Sequence, residues 1–156
     1  MQPLSNACVS RAITGSAFYG VAVGAWQVLH AEALLGHGKA EEAGAVAAGT
    51  IERMRKNGEY VFDGWALNVR GDALLALNDK AAAKSAYEEE IETANRLGLL
   101  RQVLRAAAGL AKLARGNGDV DRAQALLAGA LEAVAPSDAS RGCVRAKSLL
   151  ESLDAA

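Results

Sequence analysis

The chain has 156 residues, a mass of 16.1 kDa and a net charge of −1, with 17 Lys and Arg against 18 Asp and Glu. Hydrophobic residues make up 51% and aromatics 4%, which excludes a disordered chain and, with Ala and Leu so abundant, favours helices over strands. The balanced charge provides no global basic field for nucleic acid.

A single domain, 1–156, is expected: a leader over 1–14, three units over 15–57, 58–97 and 98–135, and a last helix over 140–154. Met1 to Arg11 is a short leader containing Pro3, with Leu4 and Val9 as its apolar anchors. From Ala12 to Ala31 there is no Asp, Glu, Lys or Arg, a stretch long enough to span a bilayer. Thr14, Gly15, Ser16, Gly20, Gly24, Gln27 and His30 dilute it, so it reads as a helix packed on two sides, with no membrane role. One cation, Arg11, precedes it and no clear cleavage pattern follows, which argues against a signal peptide. Cys8 and Cys143 lack metal-ligand spacing and read as ordinary thiols in a reducing cytoplasm.

The rest of the chain keeps a period of 40. The turn residues Gly38, Asn78 and Gly118 recur at that spacing. So do the small residues Ala31, Gly71 and Ala111 before them, and Ala43, Ala83 and Ala123 after them. Apolar sites stay in phase as Leu34, Leu74 and Ala114, as Ala47, Tyr87 and Leu127, and as Ile51, Ile91 and Leu131. Gly58 and Gly98 act as helix stops. Each unit therefore reads as two helices. The first runs from Phe18 to Leu35, Val61 to Leu77 and Leu100 to Arg115; the second runs from Ala40 to Lys56, Lys80 to Leu97 and Val120 to Val134. Small residues fall where paired helices approach most closely. After Pro136, Ser137 and Asp138 a final helix starts near Ser140. Its apolar set is Val144, Ala146, Leu149, Leu150 and Leu153, as expected of a terminal cap.

The stretches Leu34 to Ala43, Leu74 to Ala83 and Leu113 to Ala123 resemble the tetratricopeptide repeat. The repeat here is 40 residues instead of about 34, and Gln27, Leu67 and Ala107 stand where that family usually has Trp. Elongated repeats of this kind are similar to the C-terminal regions of large bacterial signalling ATPases, including cyclase-linked ones, and of helical-repeat transcription activators. His30 to Leu35, Arg70 to Leu75, the run from Leu104 and Ala146 to Leu153 carry that likeness. The resemblance implies an all-α fold, a right-handed superhelix of antiparallel helix pairs, with the first helix of each pair lining a concave groove. It carries no nucleotide-binding or cyclase residue to this chain.

By that resemblance the groove positions are Ala25, Val28, Glu32 and Leu35, then Trp65, Asn68, Asp72 and Leu75, then Arg105, Ala108, Lys112 and Arg115. Helical geometry adds that Arg101, Arg105, Lys112 and Arg115 fall within about 80° of one another. The partner-binding candidates are Glu32, Trp65, Asn68, Asp72, Arg105, Lys112 and Arg115, in a groove apolar and mildly acidic at one end and basic at the other.

Nothing in the sequence assembles a catalytic or cofactor motif. Gly36-His37-Gly38-Lys39 lacks the second half of a phosphate loop and follows a helix. Gly118 to Asp121 lacks the remaining calcium ligands. His30 reads as partly buried and His37 as an exposed turn residue, and the run Glu88, Glu89, Glu90 and Glu92 as a solvated face. The expectation is a non-enzymatic cytoplasmic module, with no cofactor and no metal, that binds a peptide or helix of a protein partner. It would be the end of a bacterial signalling or regulatory protein. A small-ligand sensor or enzyme with a pocket near Trp65 is the alternative. The charge-free N-terminal edge, with Phe18, Tyr19, Val21, Val23, Trp26 and Val28, further predicts a homodimer through that edge or its occlusion by other sequence.

Overall fold

The computed structural model describes residues 6–134 and 140–154. Seven helices follow one another among them: α1 (Asn6–Gly36), α2 (Ala40–Asn57), α3 (Asp63–Ala76), α4 (Lys80–Leu97), α5 (Leu100–Gly116), α6 (Val120–Glu132) and α7 (Arg141–Asp154). No strand occurs among the described residues. The first five residues of the leader and the segment Pro136, Ser137 and Asp138 lie outside them, as do the surroundings of Cys8, Val9, Phe18, Tyr19 and Val21.

The turn chemistry sets the helix boundaries. Gly38, Asn78 and Gly118 adopt φ of 77°, 63° and 82°, the left-handed conformation that reverses a chain between two helices. Asp79 and Asp119 then cap α4 and α6, their Oδ1 atoms accepting from the backbone N–H of Ala82 (3.1 Å) and Arg122 (3.2 Å). Lys39 stands at the equivalent position before α2 and makes no such bond. Past Gly58 and Gly98, the N–H groups of Glu59 and Leu99 each close back on a carbonyl at 2.8 Å, that of Met54 and of Ala94.

The main difference from the sequence reading is at the start. The sequence predicts a first helix from Phe18, whereas α1 begins at Asn6. No proline interrupts the chain between Asn6 and Gly36, and Ala, Val and Leu outweigh the glycines that suggest a break.

Consecutive helices pack against one another, and the backbones of α1 and α3, of α3 and α5 and of α5 and α7 also come close, while among the described residues those of α2, α4 and α6 do not approach one another. The odd-numbered helices therefore form one continuous layer. The periodic alanines Ala31, Ala43, Ala83, Ala111 and Ala123 are all fully buried, and the buried apolar clusters repeat along the stack.

At the centre, Tyr87 of α4 has no exposure. Its ring fills a slot between Gly71 of α3 and Gly109 of α5, and a methyl group at either glycine would overlap it. Two surface expectations need correction. Val144 is 54% exposed, and it is Cys143 that faces the core. His30 is exposed, because Val28 and Ala31 occupy the inward face of α1 and His30 points off it.

Candidate functional site

A cavity of about 750 Å³ runs along the layer of odd-numbered helices. Glu32, Leu35 and Gly36 enter it from α1, and Trp65, Asn68, Val69 and Asp72 from α3. Arg105, Ala108 and Lys112 come from α5, and Gly142, Arg145 and Leu149 from α7. Spacings of three and four residues put each set on one face of its helix.

The charges are paired across helices. Trp65 Nε1–H donates to Glu32 Oε1 at 2.7 Å, and Arg105 Nη2 donates to the same oxygen at 3.0 Å. The Arg105 guanidinium also lies 5.6 Å from the centre of the Trp65 ring, a cation–π distance. One carboxylate thus ties α1, α3 and α5 together. Lys112 Nζ is 3.9 Å from Asp72 Oδ1, which already accepts the Tyr87 hydroxyl at 2.7 Å. The four charged side chains in these pairs are 32–49% exposed, so water reaches the cavity and it is an open trough. Each such pair adds about 0–1 kcal/mol to folding, and its effect is mainly to orient the side chains.

Behind the trough the side chains are buried. Asn68 Nδ2 donates to Glu90 Oε2 at 2.9 Å. Glu90 has no exposure, and its Oε1 has no hydrogen-bond partner. Burial pushes the Glu90 carboxyl up to about 8; Asp72 adds to the rise, while the Asn68 bond and Arg105 oppose it. It is neutral at pH 7. Burial, with Asp72 close by, also pushes the Tyr87 hydroxyl far above its ordinary range, so it remains a phenol that donates to Asp72.

A second polar cluster binds the other layer to this one. Arg55 of α2 donates to Asp63 at the start of α3 through Nε at 3.2 Å and Nη2 at 3.1 Å, and pairs with Glu89 of α4 at 2.8 Å. Burial lowers the Arg55 pKa, but Asp63 and Glu89 outweigh it and the net direction is up.

Of the candidates from sequence, the structure brings together Glu32, Trp65, Asn68, Asp72, Arg105 and Lys112. Arg115 is exposed near the end of α5, outside the lining; it lies about 80° around the helix from Arg105. Among the other groove positions, Val28 is fully buried in the core and Ala25 and Leu75 do not line the trough. The lining carboxylates, Glu32 and Asp72, come from α1 and α3 and the lining cations, Arg105, Lys112 and Arg145, from α5 and α7, and the two sides meet where Glu32 reaches Arg105 across α3. The glutamate run is not a uniformly solvated face either, because Glu90 is its inward member. Sequence reasoning missed Gly142, Arg145 and Leu149. It treated α7 as a polar cap, although their own three- and four-residue spacing marks a face. Among the described residues no three His, Cys, Asp or Glu side chains gather as a metal site, and no helix is long and apolar enough to cross a membrane.

Comparison with protein-family models, with curated proteins and with solved structures returns no match.

Proposed function

We propose that the chain is a protein-interaction module that holds a peptide or helix of a partner in the trough. The carrying observation is the trough itself: four helices contribute a solvent-open surface on which Trp65, apolar side chains and charges alternate. Aromatic and Arg side chains set among apolar contacts are what peptide-binding surfaces use as anchors. The 40-residue period of helix pairs and the contact of each odd-numbered helix with the next support a tetratricopeptide-like, right-handed superhelix. The trough would then be its concave face. A place in the C-terminal part of a bacterial signalling or regulatory protein rests on the sequence resemblance, a cytoplasmic place on two cysteines without metal-ligand spacing, and a non-enzymatic role on the repeat pattern and the lack of a catalytic motif in the sequence.

The test is selection of a random heptapeptide display library on the whole chain, followed by titration of the selected peptides. Binding should survive washing and fall at least tenfold with Trp65→Ala. Selected peptides that bind Trp65→Ala as well as the parent would reject the trough as the site. A second reading, a small-ligand sensor, draws on the neutral Glu90 carboxyl directly behind Asn68 and on a cavity within the usual volume range of ligand pockets. A thermal-shift screen of small metabolites separates the two.

A further inference from the structure

The three cations in the trough are not equivalent. Arg105 is committed, with Glu32 accepting its Nη2–H at 3.0 Å and its guanidinium stacked on Trp65. Lys112 is loosely held: its one carboxylate neighbour among the described residues is 3.9 Å away and already accepts the Tyr87 hydroxyl. Arg145 lines the trough from α7, is exposed, and has no carboxylate partner among the described residues. The uncommitted positive charge is therefore concentrated where α5 meets α7.

Taking the trough as a peptide site, as proposed above, we infer that Lys112 and Arg145 form a subsite for an acidic side chain, Asp or Glu, of the bound segment. Three features define that occupant. First, Lys112 and Arg145 against Asp72 leave one net positive charge at this end, which a single carboxylate neutralises. A phosphate group of charge about −1.5 to −2 would leave excess negative charge beside Asp72. Second, Ala108 lies one turn before Lys112 on α5 and Leu149 one turn after Arg145 on α7, both in the same lining, so an apolar residue belongs next to the acidic one. Third, the lining continues from α7 to α1. Four helices side by side, three steps of about 8–10 Å, span roughly 24–30 Å, a length for about seven to nine residues of extended chain at ~3.3 Å each. A free carboxylate would fill one end only. Glu32 sets the boundary of the subsite, because its own carboxylate occupies Arg105 and keeps that cation from the partner.

The test uses the same heptapeptide display library on the whole chain. Selected peptides should carry Asp or Glu beside an apolar residue. A synthetic copy with that acid replaced by its amide should bind the parent about tenfold to a hundredfold more weakly. Arg145→Glu should lose the preference for the acid over the amide, and Glu32→Gln, which frees Arg105, should admit a second acidic position. Arg145 is exposed, so its replacement leaves the core intact, and helix content measured by circular dichroism checks that. Selected peptides without an acid preference, or one that Arg145→Glu leaves unchanged, overturn the subsite while leaving the trough reading intact. Failure to select any peptide overturns both. Glutarate binding as tightly as the peptide overturns the peptide as the source of the carboxylate.

Discussion

Glu90 makes the stability of the fold depend on pH in a direction opposite to that of most carboxylates. Its carboxyl titrates at about 8 in the folded chain against an ordinary value of 4.5. The folded state therefore holds a proton that the unfolded chain has released, and stability falls as pH rises from 4.5 through about 8. Each pH unit in that interval is worth about 1.4 kcal/mol, so the full penalty at high pH approaches about 5 kcal/mol, of which about 2–3 kcal/mol is lost between pH 6 and pH 9. The groups that face Glu90 act in both directions: Arg105 favours its charge, Asp72 opposes it, and Asn68 donates to it. Glu90→Gln retains an acceptor for Asn68 and places an uncharged amide where the protonated carboxyl sits. Urea unfolding of parent and variant at pH 6 and pH 9 isolates the effect, because other titrating groups are common to both. The parent should lose about 2–3 kcal/mol more than Glu90→Gln over that range. Equal losses would show that Glu90 is not the buried, proton-holding group described here.

Two further perturbations examine the packing and the N-terminal edge. Gly109→Ala should destabilise the fold by about 1–3 kcal/mol through overlap with the Tyr87 ring. Gly129→Ala in α6, where a new methyl meets nothing within 4 Å, should stabilise it by about 0.5–1 kcal/mol; thermal melts that rank the two variants the other way would refute the slot. Trp26 of α1 is 73% exposed and Leu29 is 45% exposed on a helix with no charge from Ala12 to Ala31. Light scattering should show concentration-dependent self-association that Trp26→Glu abolishes, and a parent that stays monomeric at high concentration would reject a role for this edge in dimer formation.

Much of the helical pattern was legible because it is written in local chemistry. Gly38, Asn78, Gly118, Gly58 and Gly98 mark turns and stops by backbone conformation alone, and α4 spans Lys80–Leu97 as its stripe and flanking residues predict. The positions that the repeat resemblance implies reach the trough at Glu32, Leu35, Trp65, Asn68, Asp72, Arg105, Ala108 and Lys112 and miss it at Ala25, Val28, Leu75 and Arg115. What the sequence could not show were relations between helices. That Glu32 would reach Arg105, 73 positions away, depends on how α1, α3 and α5 pack side by side. Glu90 is indistinguishable by type from Glu88, Glu89 and Glu92, and only the packing of α3 and α5 over α4 selects it for burial. Arg145 was hidden because α7 was read as an end of the stack instead of as a wall of the trough.

The central claim is that a partner segment binds along the odd-numbered helices, and an amide NMR titration with a selected peptide tests it most directly. The indole N–H of Trp65, hydrogen-bonded to Glu32, should shift together with the backbone amides of Asn68, Ala108, Lys112 and Arg145. The indole of Trp26, on the outer edge of α1, serves as the internal control and should stay in place. Shifts confined to Trp26 or to α2, α4 and α6, with Trp65 unmoved, would contradict the account.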